Sequence, residues 1–348
     1  MRCTRLAVAT AALFLLTGCP QDTDETPWTG PADAADTADT TTPDTADTTP
    51  DVDTGIDVDT AVAGDDCDGA DADGDGSWDV TVPDDCPTIQ AALDAAANSG
   101  IAGTISVAPG TYRENIDFKG ASVVLKGAKG PEKTTIDGSD AEASTVTFAT
   151  GEGSGAVLEG FRISGGSGNP DENDSTRGGG IYIKEASPIL RNLVVADNAI
   201  SNDSGYGGGI HMSRSGAELE QVTVLDNRAT YYGGGIHLSQ SPNAELQNVE
   251  VIGNRATYGG GIALAYDGQT HRNLLVLDNE ANFGAGLLIQ SADPIVENAT
   301  FHDNAGDAIH LLSGANPELA NVTITGSTGR ALNAEKGETV VPGTTNLP

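Results

Sequence analysis

Aromatic residues make up only 4% of the 348-residue chain, and just 17 residues are Lys or Arg. With 45 glycines besides, this composition points away from a helical protein and towards a turn-rich one. The shortage of cations excludes a nucleic-acid groove, which needs clustered Lys and Arg to displace phosphate counterions. It equally disfavours electrostatic docking onto an anionic membrane surface. The apolar run from Leu6 to Leu16 is eleven residues long, far short of the ~20 that a spanning helix requires. Against these absences stand 51 Asp and Glu and a formal net charge of −34. The acids are unevenly spread: residues 20–85 hold 21 of them and no Lys or Arg, while residues 86–348 hold 30 against 15 bases.

The first residues read as a processing signal, with Arg2 and Arg5 ahead of the apolar run. The run ends in Leu16-Thr17-Gly18-Cys19, which resembles a bacterial lipobox. That resemblance implies removal of residues 1–18 and lipidation of Cys19, which would anchor the mature chain to a membrane. An ordinary secretory signal with a chance cysteine is the alternative. Pro20 follows Cys19, so nothing resembles an inner-membrane retention signal, and the expected address is the outer membrane with the chain exposed at the surface. Residues 19–64 repeat Asp, Thr, Pro and Ala with almost nothing to bury, which predicts a disordered tether.

Two further cysteines, Cys67 and Cys86, flank a segment rich in aspartate, residues 65–86. In an exported protein they are expected to pair. Carboxylates at alternate positions around a glycine turn, here Asp71, Asp73 and Asp75 with Asp79 following, can converge on one hard cation. The segment resembles the DxDGDG loops of thrombospondin type 3 repeats, which implies a structural calcium site at a junction. It departs from an EF-hand, because Val82 stands where a bidentate Glu is expected. A solvated continuation of the acidic tether is the alternative.

From residue 100 a register appears. GGGIYIK, GGGIHMS, GGGIHLS, GGGIALA and GAGLLIQ begin at Gly178, Gly207, Gly233, Gly259 and Gly284. The anchors Ile181, Ile210, Ile236, Ile262, Leu287, Ile309 and Leu332 recur every 22–29 residues. Two more ladders run in step: Asn192, Gln221, Asn248, Asn273, Asn298 and Asn321, then Asn198, Asn227, Asn254, Asn279 and Asn304. Each unit carries short alternating strands and no helical period. A unit that buries only alternate residues cannot fold alone, so like must stack on like, with buried Asn amides bonding between units. The expectation is an all-β, parallel β-solenoid of about nine or ten coils over residues 87–340.

At its start Ile89, Ala92, Leu93 and Ala96 share one helical face, which predicts a short N-terminal capping helix over the end of the stack. The order that follows, Gly103-Thr104-Ile105-Ser106-Val107, Val123-Val124-Leu125 and Thr134-Thr135-Ile136, resembles the opening coils of right-handed, single-stranded parallel β-helix proteins of the pectin lyase-like superfamily. The GGG-I repeats are similar to those of polymorphic outer-membrane proteins. These resemblances imply the fold; activity varies too widely on this solenoid to be implied with it.

Three ladders are expected to face outward. Tyr206, Tyr232, Tyr258 and Phe283 could form a platform for sugar faces, or simply stack on one another. Tyr182, His211, His237, Ala263, Leu288 and His310 directly follow the anchors; two histidines lacking a third ligand make a poor zinc site, so surface repetition is expected. Asp197, Asp226, Asp278 and Asp303 form adjacent pairs, which suits retaining glycosidases but also plain Asp-Asn turn chemistry. The GxxDFIFG-like and LGRPW-like segments of pectin esterases are missing, and no Arg stands beside clustered Asp; Arg228 and Arg255 come nearest and look structural. The insert Gly165–Arg177, with Asp171, Glu172 and Asp174, breaks the repeat and is expected to be a loose acidic loop. The functional expectation is a lipid-anchored, non-catalytic module binding polysaccharide or another cell surface, with a polysaccharide lyase or glycoside hydrolase as the alternative.

Overall fold

In the computed structural model the described residues are Cys67, 78–100, 102–335 and 345–346. The expected signal peptide and tether, Cys19, Asp71, Asp73 and Asp75 lie outside them. Among the described residues no helix is long and apolar enough to cross a membrane.

The anchors stack as their spacing requires. Ile181 pairs in parallel with Ile210, and the column continues through Ile236, Ile262, Leu287, Ile309 and Leu332. They belong to a nine-stranded parallel sheet that starts at Ile116–Asp117 and ends at Leu332–Ala334. A second sheet, of 14 strands, runs alongside it from Trp78–Val82 to Thr345–Asn346. The chain winds between the two once per coil, so every strand finds its partner one coil away. This is a right-handed parallel β-helix of about ten turns. Its core is a continuous column of Ile, Val and Leu, with Phe118 and Phe148 packed 4.2 Å apart near the start.

Two ladders of amides behave differently. Asn192, Gln221, Asn248, Asn273, Asn298 and Asn321 are exposed and carry φ of 50–56°. They mark a left-handed corner within each eight-residue strand, such as Glu218–Leu225, which shifts the phase of alternation so that Leu219 and Val222 both point inward. Asn198, Asn227, Asn254, Asn279 and Asn304 are the buried set. Each amide of the first four donates to the next Asn Oδ1 at 2.9–3.1 Å, and that same oxygen accepts the preceding backbone N–H at 2.9–3.0 Å. The GGG turns lie against this ladder. A methyl on Gly234 would run into the carbonyl oxygens of Gly260 and Arg255, so that position admits only glycine.

The capping helix is Ile89–Ser99, burying Ile89, Ala92, Leu93 and Ala96. Thr88 caps it by accepting from Ala91 N, and the Glu114 carboxylate accepts from Ile89 N and Gln90 N at 3.0 and 2.9 Å. That carboxylate satisfies N–H groups otherwise left orphaned at the helix start. Cys86 is buried in the core beneath the helix and bonded to Cys67. The sheet begins earlier than the sequence suggests: Trp78–Val82 already pairs with Gly103–Val107.

Candidate functional site

The insert that breaks the repeat is an ordered hairpin, not a loose loop. Asn169–Pro170 pairs antiparallel with Thr176–Arg177, and Thr176–Arg177 pairs in parallel with Gly205–Tyr206 on the next coil. Asp171 holds the turn together. Its Oδ1 accepts from Asn173 N at 2.8 Å and Ser175 N at 3.0 Å, and its Oδ2 accepts from Arg177 Nε at 2.7 Å. Arg177 Nη2 completes a two-pronged ion pair at 2.6 Å. Partial burial pushes the Asp171 carboxyl up, but the Asn173 N–H, the Arg177 guanidinium and the Ser175 N–H outweigh it and leave it below the usual carboxylate range. Asn169 ties the hairpin to the preceding coil by donating to Thr147 Oγ1 and accepting from Ser144 N, both at 2.9 Å.

Between this hairpin and the nine-stranded sheet runs a groove of about 790 Å³. Asp171, Glu172 and Arg177 form one wall, and Tyr182, Lys184, Arg214 and Gln240 lie across from them. Arg214 pairs with Glu185, whereas Lys184 makes no ion pair among the described residues. Arg177 stacks its guanidinium over the Tyr206 ring, 4.8 Å from the centroid. An arginine therefore does stand beside clustered acids, contrary to the sequence expectation. Asp171 and Arg177 meet only because the hairpin folds.

The column that follows the anchors does not face water. His211, His237, Ala263, Leu288 and His310 are all buried, with exposures of 0–4%. The aromatic residues four positions before the anchors fold back across that face and cover it. Tyr206 and Tyr232 lie over His237 at 5.5 and 5.7 Å between centroids, and Tyr182 stacks on His211 at 5.9 Å. His211 and His237 meet through their Nδ1 atoms at 3.0 Å. Burial above all, then His237 and Arg177, push His211 well below its ordinary value; burial and Arg177 push His237 down to about 3. Both imidazoles are therefore neutral.

The aromatic ladder spends its faces on itself. Tyr206 and Tyr232 stack at 5.9 Å, Tyr232 and Tyr258 at 5.0 Å, and Tyr258 and Phe283 at 4.9 Å. Tyr231 meets three of these rings edge-on. Burial, then the neighbouring tyrosines, push Tyr232 up to about 12.

The sequence matches the family model of the right-handed β-helix region over residues 112–256 and again over 174–344. The chain belongs to this family. No curated protein matches it. Among solved structures, this β-helix chain is similar to a pectin methylesterase in complex with a hexasaccharide, at 10% identity, 70% coverage of this chain, 76% of that one and a TM-score of 0.35. It is similar also to the rice weevil pectin methyl esterase, at 12% identity, 76% and 88% coverage and a TM-score of 0.35. A third is the A-module of the Azotobacter vinelandii mannuronan C-5 epimerase, at 15% identity, 75% and 94% coverage and a TM-score of 0.34.

The remaining candidates of this β-helix protein sit away from the groove. Asp197, Asp226, Asp278 and Asp303 are exposed at a second left-handed corner, with φ of 53–59°. Asp197 pairs with Arg162 at 2.6 Å and Asp303 with His302 at 3.0 Å. The Asp226 carboxylate lies over Gly253, where a side chain would collide with it. Asp79 sits on the first strand, its Oδ1 accepting from Thr104 N at 2.7 Å. Arg255 pairs with Glu280 at 3.2 Å on an exposed corner. Among the described residues no three His, Cys, Asp or Glu gather as metal ligands. Sequence reasoning missed Arg177 and Lys184 as groove residues and placed Tyr182 only in the ladder after the anchors. The readable signal was Asn-Pro-Asp at Asn169–Asp171, a turn signature at the one place where the repeat is interrupted.

Proposed function

We propose that this is an exported, lipid-anchored β-helix protein that holds an anionic polysaccharide in the groove beside the 169–177 hairpin without cleaving it. One observation carries the reading: Arg177, Lys184 and Arg214 balance Asp171, Glu172 and Glu185 in a single groove, on a chain with 17 bases against 51 acids. Such a charge-balanced groove repels a carboxylate-bearing polymer less than the rest of the acidic surface does, and Lys184, which makes no ion pair among the described residues, is left to meet its carboxylates. Tyr182 offers a ring edge and a hydroxyl that partial burial keeps protonated. Binding without cleavage is favoured because the Asp171 carboxylate is held in its ion pair and the two imidazoles are covered, out of reach of a polymer in the groove.

The lipid anchor at Cys19, the outer-membrane address and the tether over 19–64 belong to the same proposal, on the lipobox-like sequence. So does calcium on Asp71, Asp73, Asp75 and Asp79, in a junction role. A lyase or hydrolase is the second reading, favoured by Arg177 and Tyr182 sharing the groove. The test is binding of the full chain to polygalacturonate and to neutral dextran. Lys184→Ala should weaken polygalacturonate binding several-fold while leaving the fold intact, and dextran should not bind; equal binding of both polymers would sink the charge argument.

A further inference from the structure

We infer that His211 and His237 are positioning residues: a directional hydrogen-bonded chain from Arg177 through His211 to His237 fixes the guanidinium in the groove. The inference deepens the polysaccharide reading and rests on it for the ligand, though not for the chain of bonds itself.

From His211 to His310 the position after the anchor is covered, so an apolar side chain costs least there. The coils above carry Ala263 and Leu288 at this place, both buried, and then a buried His310 that has its own polar partners in Asp307 and Asn333. The two histidines instead occupy the two coils next to the hairpin, where Arg177 reaches down. Arg177 uses Nε and Nη2 on Asp171 and rests on the Tyr206 ring. Its remaining nitrogen, Nη1, lies 3.5 Å from His211 Nε2.

The donors and acceptors then allow one arrangement. A guanidinium only donates, so His211 Nε2 must present its lone pair and its proton must sit on Nδ1. That Nδ1–H donates across 3.0 Å to His237 Nδ1. His237 must then carry its proton on Nε2. Each member fixes the tautomer of the next, and Tyr182, Tyr206 and Tyr232 keep water from offering alternatives. A second positive charge so close to Arg177 would be repelled, which agrees with the downward displacement of both imidazoles. Arg177 is thus gripped on three sides, with its outer N–H groups directed to the groove that it lines.

The test has two arms on the full chain. Ring-nitrogen NMR at pH 6 should show His211 protonated at Nδ1 only and His237 at Nε2 only. Arg177→Met should release His211 into a mixture of tautomers. Protonation of His211 at Nε2, or a charged imidazole at either position, would overturn the inference. In the second arm, His211→Leu should weaken polygalacturonate binding about tenfold, the usual worth of one hydrogen bond to a charged group. His211→Gln keeps an acceptor and a donor and should stay within about threefold of wild type. Equal affinities for Leu and wild type would refute a positioning role. If His211→Leu does not fold, the tautomers decide. A wild-type chain that ignores polygalacturonate would overturn the polysaccharide reading alone, and the tautomers would still decide this one.

Discussion

Replacing Asn254 with Ala cuts the buried amide ladder in the middle. The Asn254 amide donates to Val224 O at 2.9 Å, Ile252 O at 3.1 Å and Asn279 Oδ1 at 3.1 Å. Its oxygen accepts from Asn227 N at 2.9 Å and Asn227 Nδ2 at 3.1 Å. Alanine leaves the Asn227 N–H buried without a partner, at about 1–3 kcal/mol, and removes several further bonds worth about 1 kcal/mol each. Shared bonds compensate in part, so the expected loss is about 3–5 kcal/mol. The fitting control is Asn273→Gly on the exposed ladder. Asn273 has a φ of 56° and one exposed amide bond to Asn248, so glycine should cost less than about 1 kcal/mol. Equilibrium urea unfolding followed by far-UV circular dichroism gives both values. If Asn254→Ala unfolds within 1 kcal/mol of wild type at an unchanged denaturant slope, the ladder does not hold the coils together and the reasoning is wrong.

Gly234→Ala should destabilise by about 3 kcal/mol because its methyl meets the carbonyls of Gly260 and Arg255, whereas Gly268→Ala enters open space and should stay within about 0.5 kcal/mol; thermal melting compares them, and equal costs would show that the GGG turns have room. His237 is held at about 3, mainly by burial, against an ordinary 6.5, so between those values the unfolded chain binds a proton that the folded chain refuses. Its contribution is therefore fully present above pH 6.5 and is lost as pH falls towards 3, at up to about 1.4 kcal/mol per pH unit. His237→Gln should flatten that slope in urea midpoints taken from pH 7 to 4, and parallel slopes would mean that His237 is charged in the folded chain. Removing the Cys67–Cys86 bond, which spans 19 residues, should lower stability by about 3 kcal/mol in a Cys67→Ser, Cys86→Ser chain; an unchanged urea midpoint would show that the bond adds nothing.

Stacking was legible because it repeats identities. Ile181 to Leu332, and Asn198 to Asn304, each recur once per coil, and parallel pairing at that spacing superposes them. The capping helix was legible from Ile89, Ala92, Leu93 and Ala96 for the same reason of period. What a repeat does not encode is how the segment between two strands lies on its neighbour. His211 and His237 point away from the core, yet Tyr206 and Tyr232 close over them, and only the turn conformation shows this. The Asn192 and Asn198 ladders look alike in sequence; left-handed backbone at the former turns its amides outward. Arg177 and Asp171 are six residues apart, and their pairing depends on a hairpin register that no periodicity sets.

The central claim is that the groove holds an anionic polymer and leaves it whole. Its most direct test is to incubate the purified full chain with polygalacturonate, with and without calcium, and to follow binding and new reducing ends in the same samples. The account predicts saturable binding, weakened by Lys184→Ala, with no release of reducing ends. Release by the wild-type chain that disappears in Arg177→Ala or Tyr182→Phe would contradict it and make the groove an active site.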